Sequence, residues 1–484
     1  MKTELTAQGS KRSGPIKPKP FTPKPFTPVD DGGAAAAARV LAAGGRVPKK
    51  FAKARPVSAG PTLGAAQAQA KITPARRVAF EILTLVAEGK GHSDELLHGV
   101  RMQDLSDADR HLATALVMGV LRWQIALDAR VRQFLERPDQ RLADPVALAL
   151  RLGAFQLLHM DRIPAHAALS ESVEMCRAAG NPHATGMVNA ILRKVATAQK
   201  PGQRVFESTA AFAERLGHPL WIVERWVAQY GRDAALKICE ADQTESESGG
   251  LFTVDPESET VPQMSLPQID DGSRLVAEIA AAALPLVEGR AAKIWDCCAA
   301  PGGKTLVLAA RTKGAELLAT DVSLKRMSQM KARLKRFAYA TRVKTEVADA
   351  VDLSPAAGDF DLILCDVPCS GTGTLARNPE IRARLAPLEL KRQAERQKMI
   401  LAAALARLAP GGRLVYSTCS LEAEENEQVV DSVSESFRKV SVDEILSRIE
   451  GLQAEALTSN GALRTLPGVH ACDGFYAVVF EREG

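Results

Sequence analysis

The sequence lacks several features that define common classes of protein. Its eight cysteines follow no regular spacing and include no Cys-x-x-Cys pair, so neither a zinc site nor a disulfide framework is expected. No uninterrupted apolar run approaches the roughly 20 residues that span a bilayer. The proline-rich N-terminus also lacks the compact apolar segment of a signal peptide. These absences predict a cytoplasmic protein that uses no metal and no membrane.

Acidic residues are scarce at the N-terminus. Residues 1–72 hold 13 Lys/Arg against 3 Asp/Glu, although the whole chain has a net charge of only +5. The segment contains Lys-Pro-Phe-Thr-Pro twice and is otherwise rich in Ala and Gly, which predicts a disordered basic tail. Such a tail can hold RNA phosphates, or it can be only a solubilising extension.

Residues 73–200 read as an all-helical domain. Thr73-Pro74 is typical of a helix start, and Ser106 with Asp109 forms a capping-box pattern. Apolar residues recur at helical spacing through this region, which predicts a compact bundle. Residues 201–272 are predicted to form linker helices, with Trp221 and Trp226 packed between domains, followed by a polar connecting segment.

Residues 273–484 alternate between apolar runs and helical patterns. This alternation predicts a doubly wound sheet of mostly parallel strands, preceded by a helix at 273–286. The strands are expected at 293–298, 315–320, 343–348, 360–365 and 412–416, with a late antiparallel strand at 474–481. In such sheets ligands bind at the carboxyl ends of the strands.

A glycine turn follows the first predicted strand, from Cys298 to Lys304. It matches neither the Gly-x-Gly-x-x-Gly nor the Walker pattern, but it exposes backbone N–H groups at a helix start, where a carboxylate binds well. Asp321 closes the next strand and can bind ribose hydroxyls, and Asp349 closes the third, within reach of an adenine. Helix capping is the alternative role for both aspartates. Their joint placement favours S-adenosylmethionine, an adenosyl ligand with an amino-acid tail.

Two cysteines each follow a later strand, Cys369 in Asp-Val-Pro-Cys and Cys419 in Ser-Thr-Cys-Ser. Carbon 5 of cytosine becomes nucleophilic when a thiolate adds to carbon 6, so a methyl transfer there needs an activated cysteine. It also needs an acidic partner at the ring, a role that Asp366 can fill. Lys304 or Arg382 can supply the electropositive setting. The spacing does not decide which thiol attacks.

Three segments, 296–305, 366–373 and 416–420, closely resemble the RNA cytosine-5 methyltransferases. Residues 112–122 and 187–193 resemble the RNA-binding domain of the antitermination factor NusB. A NusB-like domain in front of such an enzyme is similar to the bacterial 16S ribosomal RNA methyltransferase B family. The resemblance implies an all-α NusB-like bundle followed by a Rossmann-like methyltransferase domain, with RNA as the partner.

The resemblance also assigns roles to residues. It implies that Cys419 is the nucleophile, that Cys369 assists product release, and that Asp366 contacts the cytosine. The implied S-adenosylmethionine-binding residues are Cys298, Ala299, Ala300, Pro301, Gly302, Gly303, Lys304, Asp321, Asp349 and Asp366. DNA cytosine-5 methyltransferases use a Pro-Cys thiol as nucleophile, so the opposite assignment of the two cysteines stays open. The target cytosine is expected in a loop or flipped out of its stack.

The sequence departs from this family in two places. Val367 stands where an alanine is usual, and only the polar residues 242–271 replace a small α/β subdomain that usually contacts RNA. Two other functions remain open. One is amino methylation, although those enzymes present Asn/Asp-Pro-Pro-Tyr/Phe where this chain has Cys369. The other is a non-catalytic RNA-binding factor. The remaining cysteines are expected to pack in cores, and the protein is expected to be monomeric.

Overall fold

Two architectures follow one another along the chain, first helices and then a mixed sheet flanked by helices. The computed structural model describes residues 71–198, 207–245, 250–252, 266–352, 358–453 and 456–483. These residues belong to one compact unit. The predicted tail, apart from its last two residues, and most of the polar segment 242–271 lie outside the described residues.

The helical part contains seven helices within the described residues 71–198. They are α1 (Pro74–Ala87), α2 (Ser93–Leu97), α3 (Val100–Gln103), α4 (Asp107–Arg132), α5 (Asp144–His159), α6 (Ala165–Ala178) and α7 (Thr185–Thr197). The predicted starts are confirmed, since α1 begins at Pro74 and the Ser106 hydroxyl accepts a hydrogen bond from the Asp109 N–H at 3.2 Å. Leu116, Leu150 and Leu192, from three different helices, lie in one apolar core.

Helix α4 is the one helix among the described residues that is long and apolar enough to cross a membrane by length and composition. Its apolar residues Ala113, Leu116, Val117 and Val120 are buried in the core of the bundle. This burial accounts for its composition, because a core helix needs the same apolar face.

Three helices connect the bundle to the sheet: α8 (Thr209–Arg215), α9 (Leu220–Tyr230) and α10 (Arg232–Ala241). Trp226 is fully buried and Trp221 partly buried, in an apolar cluster with Leu375, Leu421 and Leu466 of the later part of the chain. The tryptophans therefore pack between the linker helices and the sheet part of the chain, and none of the described residues of this cluster belongs to the bundle.

The remainder forms a nine-stranded sheet with helices around it. Its strands are β1 (Lys293–Asp296), β2 (Glu316–Asp321), β3 (Val343–Val347), β4 (Phe360–Asp366), β5 (Leu408–Thr418), β6 (Phe437–Val440), β7 (Thr458–Ser459), β8 (Ala462–Arg464) and β9 (Tyr476–Arg482). The helices are α11 (Asp271–Ala282), α12 (Gly303–Arg311), α13 (Leu324–Leu334), α14 (Ile381–Arg384), α15 (Pro387–Leu405), α16 (Glu427–Val430) and α17 (Val442–Leu446).

The strand order is β3-β2-β1-β4-β5-β9-β8-β7, and β6 also pairs with β9. Strands β1 to β5 are parallel, and β9 is antiparallel to β5, as predicted. The carboxyl ends of β1, β2, β4 and β5 therefore meet at one edge of the sheet, which brings the segments after Asp296, Asp321, Asp366 and Thr418 together. Strands β6 to β8 were not predicted, because two to four residues are too short to show a period.

Candidate active site

The loop between β1 and α12, residues 298–304, will be called the cofactor loop. It contains a cis Ala300-Pro301 peptide bond, and the Ala299 N–H donates to the Thr320 carbonyl at 2.9 Å. Gly302 precedes α12 with φ of 91°, and a Cβ there would lie 2.8 Å from the Met330 Cγ. A glycine is thus required both by backbone conformation and by packing. The first N–H groups of α12 have no partner within the helix and are available to a ligand.

Asp321 lies beside this loop and is 3% exposed. One of its oxygens accepts from the Ala300 N–H at 3.2 Å, and the other accepts from the Ser323 N–H at 2.9 Å. The cap of α13 is the Ser323 hydroxyl, which accepts from the Arg326 N–H at 3.3 Å. Helix capping therefore does not account for Asp321, whose carboxylate also pairs with Arg326 at 3.5 Å and can still accept hydrogen bonds from ribose hydroxyls.

Asp349 is exposed, two residues beyond the end of β3. One of its oxygens accepts from the Val351 N–H at 3.0 Å, so it stabilises the short helical turn that follows. For Asp349 the capping role is thus present in the structure. Its exposed carboxylate is still available to a ligand at the edge of the site.

Asp296 lies beneath the cofactor loop and is 1% exposed. Burial raises its pKa to about 7, against a hydrogen bond of 2.6 Å from the Thr305 hydroxyl that lowers it. With one described donor and so little solvent, this carboxyl keeps its proton to a much higher pH than an exposed aspartate does.

Lys304 connects the cofactor loop to the end of β4. Its ammonium donates to Asp366 Oδ2 at 2.7 Å, and the Ser417 hydroxyl at the end of β5 donates to Asp366 Oδ1 at 2.8 Å. Burial lowers the pKa of Lys304, but the charge and hydrogen bond of Asp366 outweigh it, and Cys419 acts in the same direction. The pKa of Lys304 is raised, so its ammonium stays charged next to the two cysteines.

The two predicted thiols lie side by side. The Sγ atoms of Cys369 and Cys419 are 3.4 Å apart, and both are partly exposed free thiols. The hydrogen bond with the Cys419 sulfur, together with burial and the charge of Cys419, raises the pKa of Cys369 well above its usual value. Cys369 is therefore held as a neutral thiol beside the Cys419 sulfur.

The loops that carry these cysteines, residues 367–373 and 419–426, will be called the first and second thiol loops. Their backbones are joined, since the Gly373 N–H donates to the Cys419 carbonyl at 2.9 Å. Buried Glu425 accepts hydrogen bonds from Ser370 of the first loop and from Ser420 of the second. These polar residues could not be found from the sequence, because no local pattern shows which serines a distant glutamate contacts.

Arg382 does not supply the positive charge near the thiols that the sequence allowed for it. Its guanidinium is buried and donates to the backbone carbonyls of Arg122 and Asp242, both at 2.7 Å. Arg382 thus joins the sheet to the bundle and the linker helices, and Lys304 is the cation paired with Asp366 at the thiols. The predicted core cysteines are all buried, namely Cys176, Cys239, Cys297, Cys365 and Cys472.

The structure therefore brings together the cofactor loop, Asp321, Asp366, Cys369 and Cys419 at one edge of the sheet. The Asp321 carboxylate suits ribose hydroxyls, and the N–H groups at the start of α12 suit the carboxylate of an amino acid. The described residues contain no group of three or more His, Cys, Asp or Glu side chains arranged to hold a metal ion.

Comparison with known proteins identifies both parts of the chain. The NusB family model matches residues 73–197, and the model described as 16S rRNA methyltransferase RsmB/F matches residues 281–481. The ribosomal RNA small subunit methyltransferase B of Xanthomonas campestris is 32% identical over 450 residues, covering 85% of this chain and 98% of the relative. The probable ribosomal RNA small subunit methyltransferase B of Bacillus subtilis is 28% identical, covering 86% of this chain and 100% of the relative.

Among solved structures, the crystal structure of PH0851 shares the fold with a TM-score of 0.65 at 22% identity, covering 85% of this chain and 99% of that one. Fold and site together define a methyltransferase with a NusB domain in front of a Rossmann-like domain. The chain belongs to the ribosomal RNA small subunit methyltransferase B family.

Proposed function

We propose that this protein methylates carbon 5 of a cytosine in RNA through a covalent cysteine–pyrimidine intermediate. The observation that carries the proposal is the contact between the Cys369 and Cys419 sulfurs at 3.4 Å, beside an Asp366 carboxylate paired with Lys304. Direct transfer to an amino nitrogen needs neither thiol, whereas transfer to carbon 5 needs one thiol to add and a group to help release it. Small-subunit ribosomal RNA is the proposed substrate, because the relatives are named for it.

Cys419 is the proposed nucleophile. Its thiolate adds to carbon 6, forming a C–S bond and shifting electron density to carbon 5. The ammonium of Lys304, whose pKa Cys419 helps to raise, favours the thiolate by its charge. Cys369 stabilises the Cys419 thiolate further, because its neutral S–H lies beside that sulfur.

Asp366 and Lys304 are proposed to act at the pyrimidine ring. The Asp366 carboxylate is 24% exposed and is fixed by Lys304 on one oxygen and Ser417 on the other. A carboxylate so oriented can accept a hydrogen bond from the exocyclic amine of cytosine. The adjacent ammonium offsets the negative charge that the thiolate brings to the ring.

S-adenosylmethionine supplies the methyl group when it is bound at the cofactor loop. On this proposal the amino-acid carboxylate is held by the first N–H groups of α12, and the ribose by Asp321. Asp349 is the proposed contact for the adenine. These assignments use groups that the fold leaves available at the edge of the sheet.

Cys369 is proposed to assist breakdown of the adduct. While Cys419 is a thiolate, its charge and hydrogen bond keep Cys369 protonated. Once Cys419 has formed its C–S bond that charge is gone, so Cys369 can ionise more readily and take the proton from carbon 5. The electrons of the C–H bond then expel the Cys419 thiolate and restore the aromatic ring.

RNA containing 5-fluorocytosine tests this function. Fluorine replaces the carbon 5 hydrogen that must be removed as a proton, so the covalent adduct does not break down. We expect the wild-type protein with S-adenosylmethionine to form a protein–RNA complex that survives a denaturing gel, and Cys419→Ala to form none. With unmodified ribosomal RNA, nucleoside analysis should show 5-methylcytosine. Methylated amino groups without an adduct, or no consumption of S-adenosylmethionine, would contradict the proposal.

A further inference from the structure

Glu425 of the second thiol loop has no part in the chemistry above, yet it contacts the neighbours of both cysteines. Its side chain is fully buried. It accepts from the Ser370 N–H at 2.8 Å and from the Ser370 hydroxyl, and from the Ser420 hydroxyl at 2.5 Å. Ser370 directly follows Cys369, and Ser420 directly follows Cys419. One carboxylate thus joins the two thiol loops at the residue next to each sulfur.

The same carboxylate is anchored to a third element, helix α15. Gln397 donates to Glu425 Oε1 at 3.0 Å and to the Pro368 carbonyl at 3.0 Å. The backbone carbonyl of Glu425 accepts from the Tyr416 hydroxyl at 2.6 Å. Residues from β5, α15 and both loops therefore fix where Glu425 lies, and Glu425 in turn fixes Ser370 and Ser420.

The chemistry of the donors explains why this residue is a glutamate. All four hydrogen bonds to the carboxylate come from neutral N–H or O–H groups, and a carboxylate is acceptor-only with two oxygens. A buried charge is costly unless its hydrogen-bonding capacity is filled, as it is here. A glutamine would present an NH₂ group to part of the same set of donors, so it would satisfy them incompletely.

We propose that Glu425 is a positioning residue that sets the separation of the Cys369 and Cys419 sulfurs. This inference rests on the proposed function, in which one thiol adds to the ring and the other helps to release it. Both sulfurs must then reach the same pyrimidine, and a misplacement of about 1 Å can cost about a hundredfold in rate. The 3.4 Å contact is therefore a geometry that Glu425 maintains rather than a consequence of the strand ends alone.

Glu422 provides a matched control in the same loop. Its side chain is also fully buried, but it accepts from Arg225 at 2.7 Å and from Trp226 at 3.0 Å, both on α9. Its backbone N–H donates to the Ser420 hydroxyl at 3.0 Å, a contact that Glu422→Gln keeps. Glu425→Gln and Glu422→Gln make the same chemical change at equal burial. A general loss of stability affects both variants, whereas a change in sulfur geometry affects only the first.

The first experiment needs no RNA and measures the thiol pair directly. Phenylarsine oxide condenses with two adjacent thiols, forming two As–S bonds and releasing one water, and it binds poorly to thiols held apart. Cys369→Ala serves as the blank for the other cysteines. We expect Glu425→Gln to weaken the binding attributable to this pair about tenfold, and Glu425→Ala more, with Glu422→Gln within about twofold of wild type.

The second experiment measures methyl transfer to ribosomal RNA. We expect Glu425→Gln to lower kcat by about tenfold to a hundredfold with KM for RNA and S-adenosylmethionine within about threefold. In a Ser370→Ala/Ser420→Ala background the same substitution should lower kcat by a smaller factor than in wild type, because both hydroxyl donors are gone while the Ser370 N–H and Gln397 still contact Glu425.

The inference is wrong if Glu425→Gln binds the arsenical as tightly as Glu422→Gln does. It is also wrong if the Glu425 effect on kcat is undiminished in the double-serine background. If wild type binds the arsenical as expected but produces no 5-methylcytosine, the proposed function fails while the positioning role of Glu425 stands.

Discussion

The cofactor loop and the two thiol loops lie at the same edge of one sheet, but they are held in different ways. The cofactor loop combines a turn, with Gly302 at positive φ, and contacts with strand β2, where the Thr320 carbonyl accepts from the Ala299 N–H and the Asp321 carboxylate from the Ala300 N–H. The thiol loops are shaped by side chains that converge on Glu425 from distant positions. The cofactor loop is thus held by its turn and the neighbouring strand, whereas the thiol loops are held by polar side chains from separate parts of the chain.

Two buried carboxyl groups show the same contrast. Asp296 beneath the cofactor loop has one described donor, and burial raises its pKa to about 7. Glu425 in the second thiol loop has four hydrogen bonds from three residues. Asp296 contacts Thr305 of the helix after the cofactor loop, whereas Glu425 connects the two thiol loops.

The largest effect is expected at Lys304, the residue that joins the two regions. Lys304→Gln removes the ammonium that pairs with Asp366 at 2.7 Å and raises the negative charge felt by Cys419. We expect the single-turnover rate of methyl transfer to fall about a hundredfold, with the Kd for S-adenosylmethionine within about threefold. Lys313→Gln, an exposed lysine beyond the other end of α12, is the control. Equal losses of rate and cofactor affinity in Lys304→Gln would show that the two regions do not act separately.

Asp296 provides a pH-dependent effect of intermediate size. Its pKa in the folded state, about 7, lies above the value near 3.9 of an unfolded aspartate, so the folded state keeps a proton that the unfolded state releases. Its contribution to stability is therefore full below about pH 4 and falls as the pH rises to 7. Between pH 5 and pH 7 we expect wild type to lose about 2 kcal/mol relative to Asp296→Asn, measured by urea unfolding. Parallel pH dependences in the two proteins would be inconsistent with this carboxyl being neutral.

The smallest effect is expected at the turn of the cofactor loop. Gly302→Ala combines positive φ with a Cβ only 2.8 Å from Met330, whereas Gly314→Ala has positive φ and open space. The backbone cost of about 1–2 kcal/mol is common to both substitutions. The difference between their destabilising effects therefore reports the contact between residue 302 and Met330. We expect calorimetry to show about tenfold weaker binding of S-adenosylmethionine in Gly302→Ala and less than about twofold in Gly314→Ala. Equal affinities of the two variants for S-adenosylmethionine would show that Gly302 does not shape the cofactor site.

The sequence predicted the backbone-determined region well. The parallel strands, the turn at residues 298–304 and the strand-end positions of Asp321 and Asp366 all follow from apolar runs and glycine placement. The hydrogen bonds to Glu425 could not be predicted from the sequence, because Ser370 and Glu425 are 55 positions apart and neither lies in a periodic pattern. For the same reason Arg382 was placed near the thiols, although its hydrogen bonds run to Arg122 and Asp242.

One gel experiment tests whether Cys419 is the nucleophile and Cys369 the thiol that assists release. Wild type, Cys369→Ala and Cys419→Ala are each incubated with S-adenosylmethionine and unmodified ribosomal RNA, denatured, and examined for protein–RNA adducts. We expect Cys369→Ala to accumulate an adduct because release fails, and Cys419→Ala to form none because addition fails. An adduct in Cys419→Ala and none in Cys369→Ala would show that the two roles are reversed.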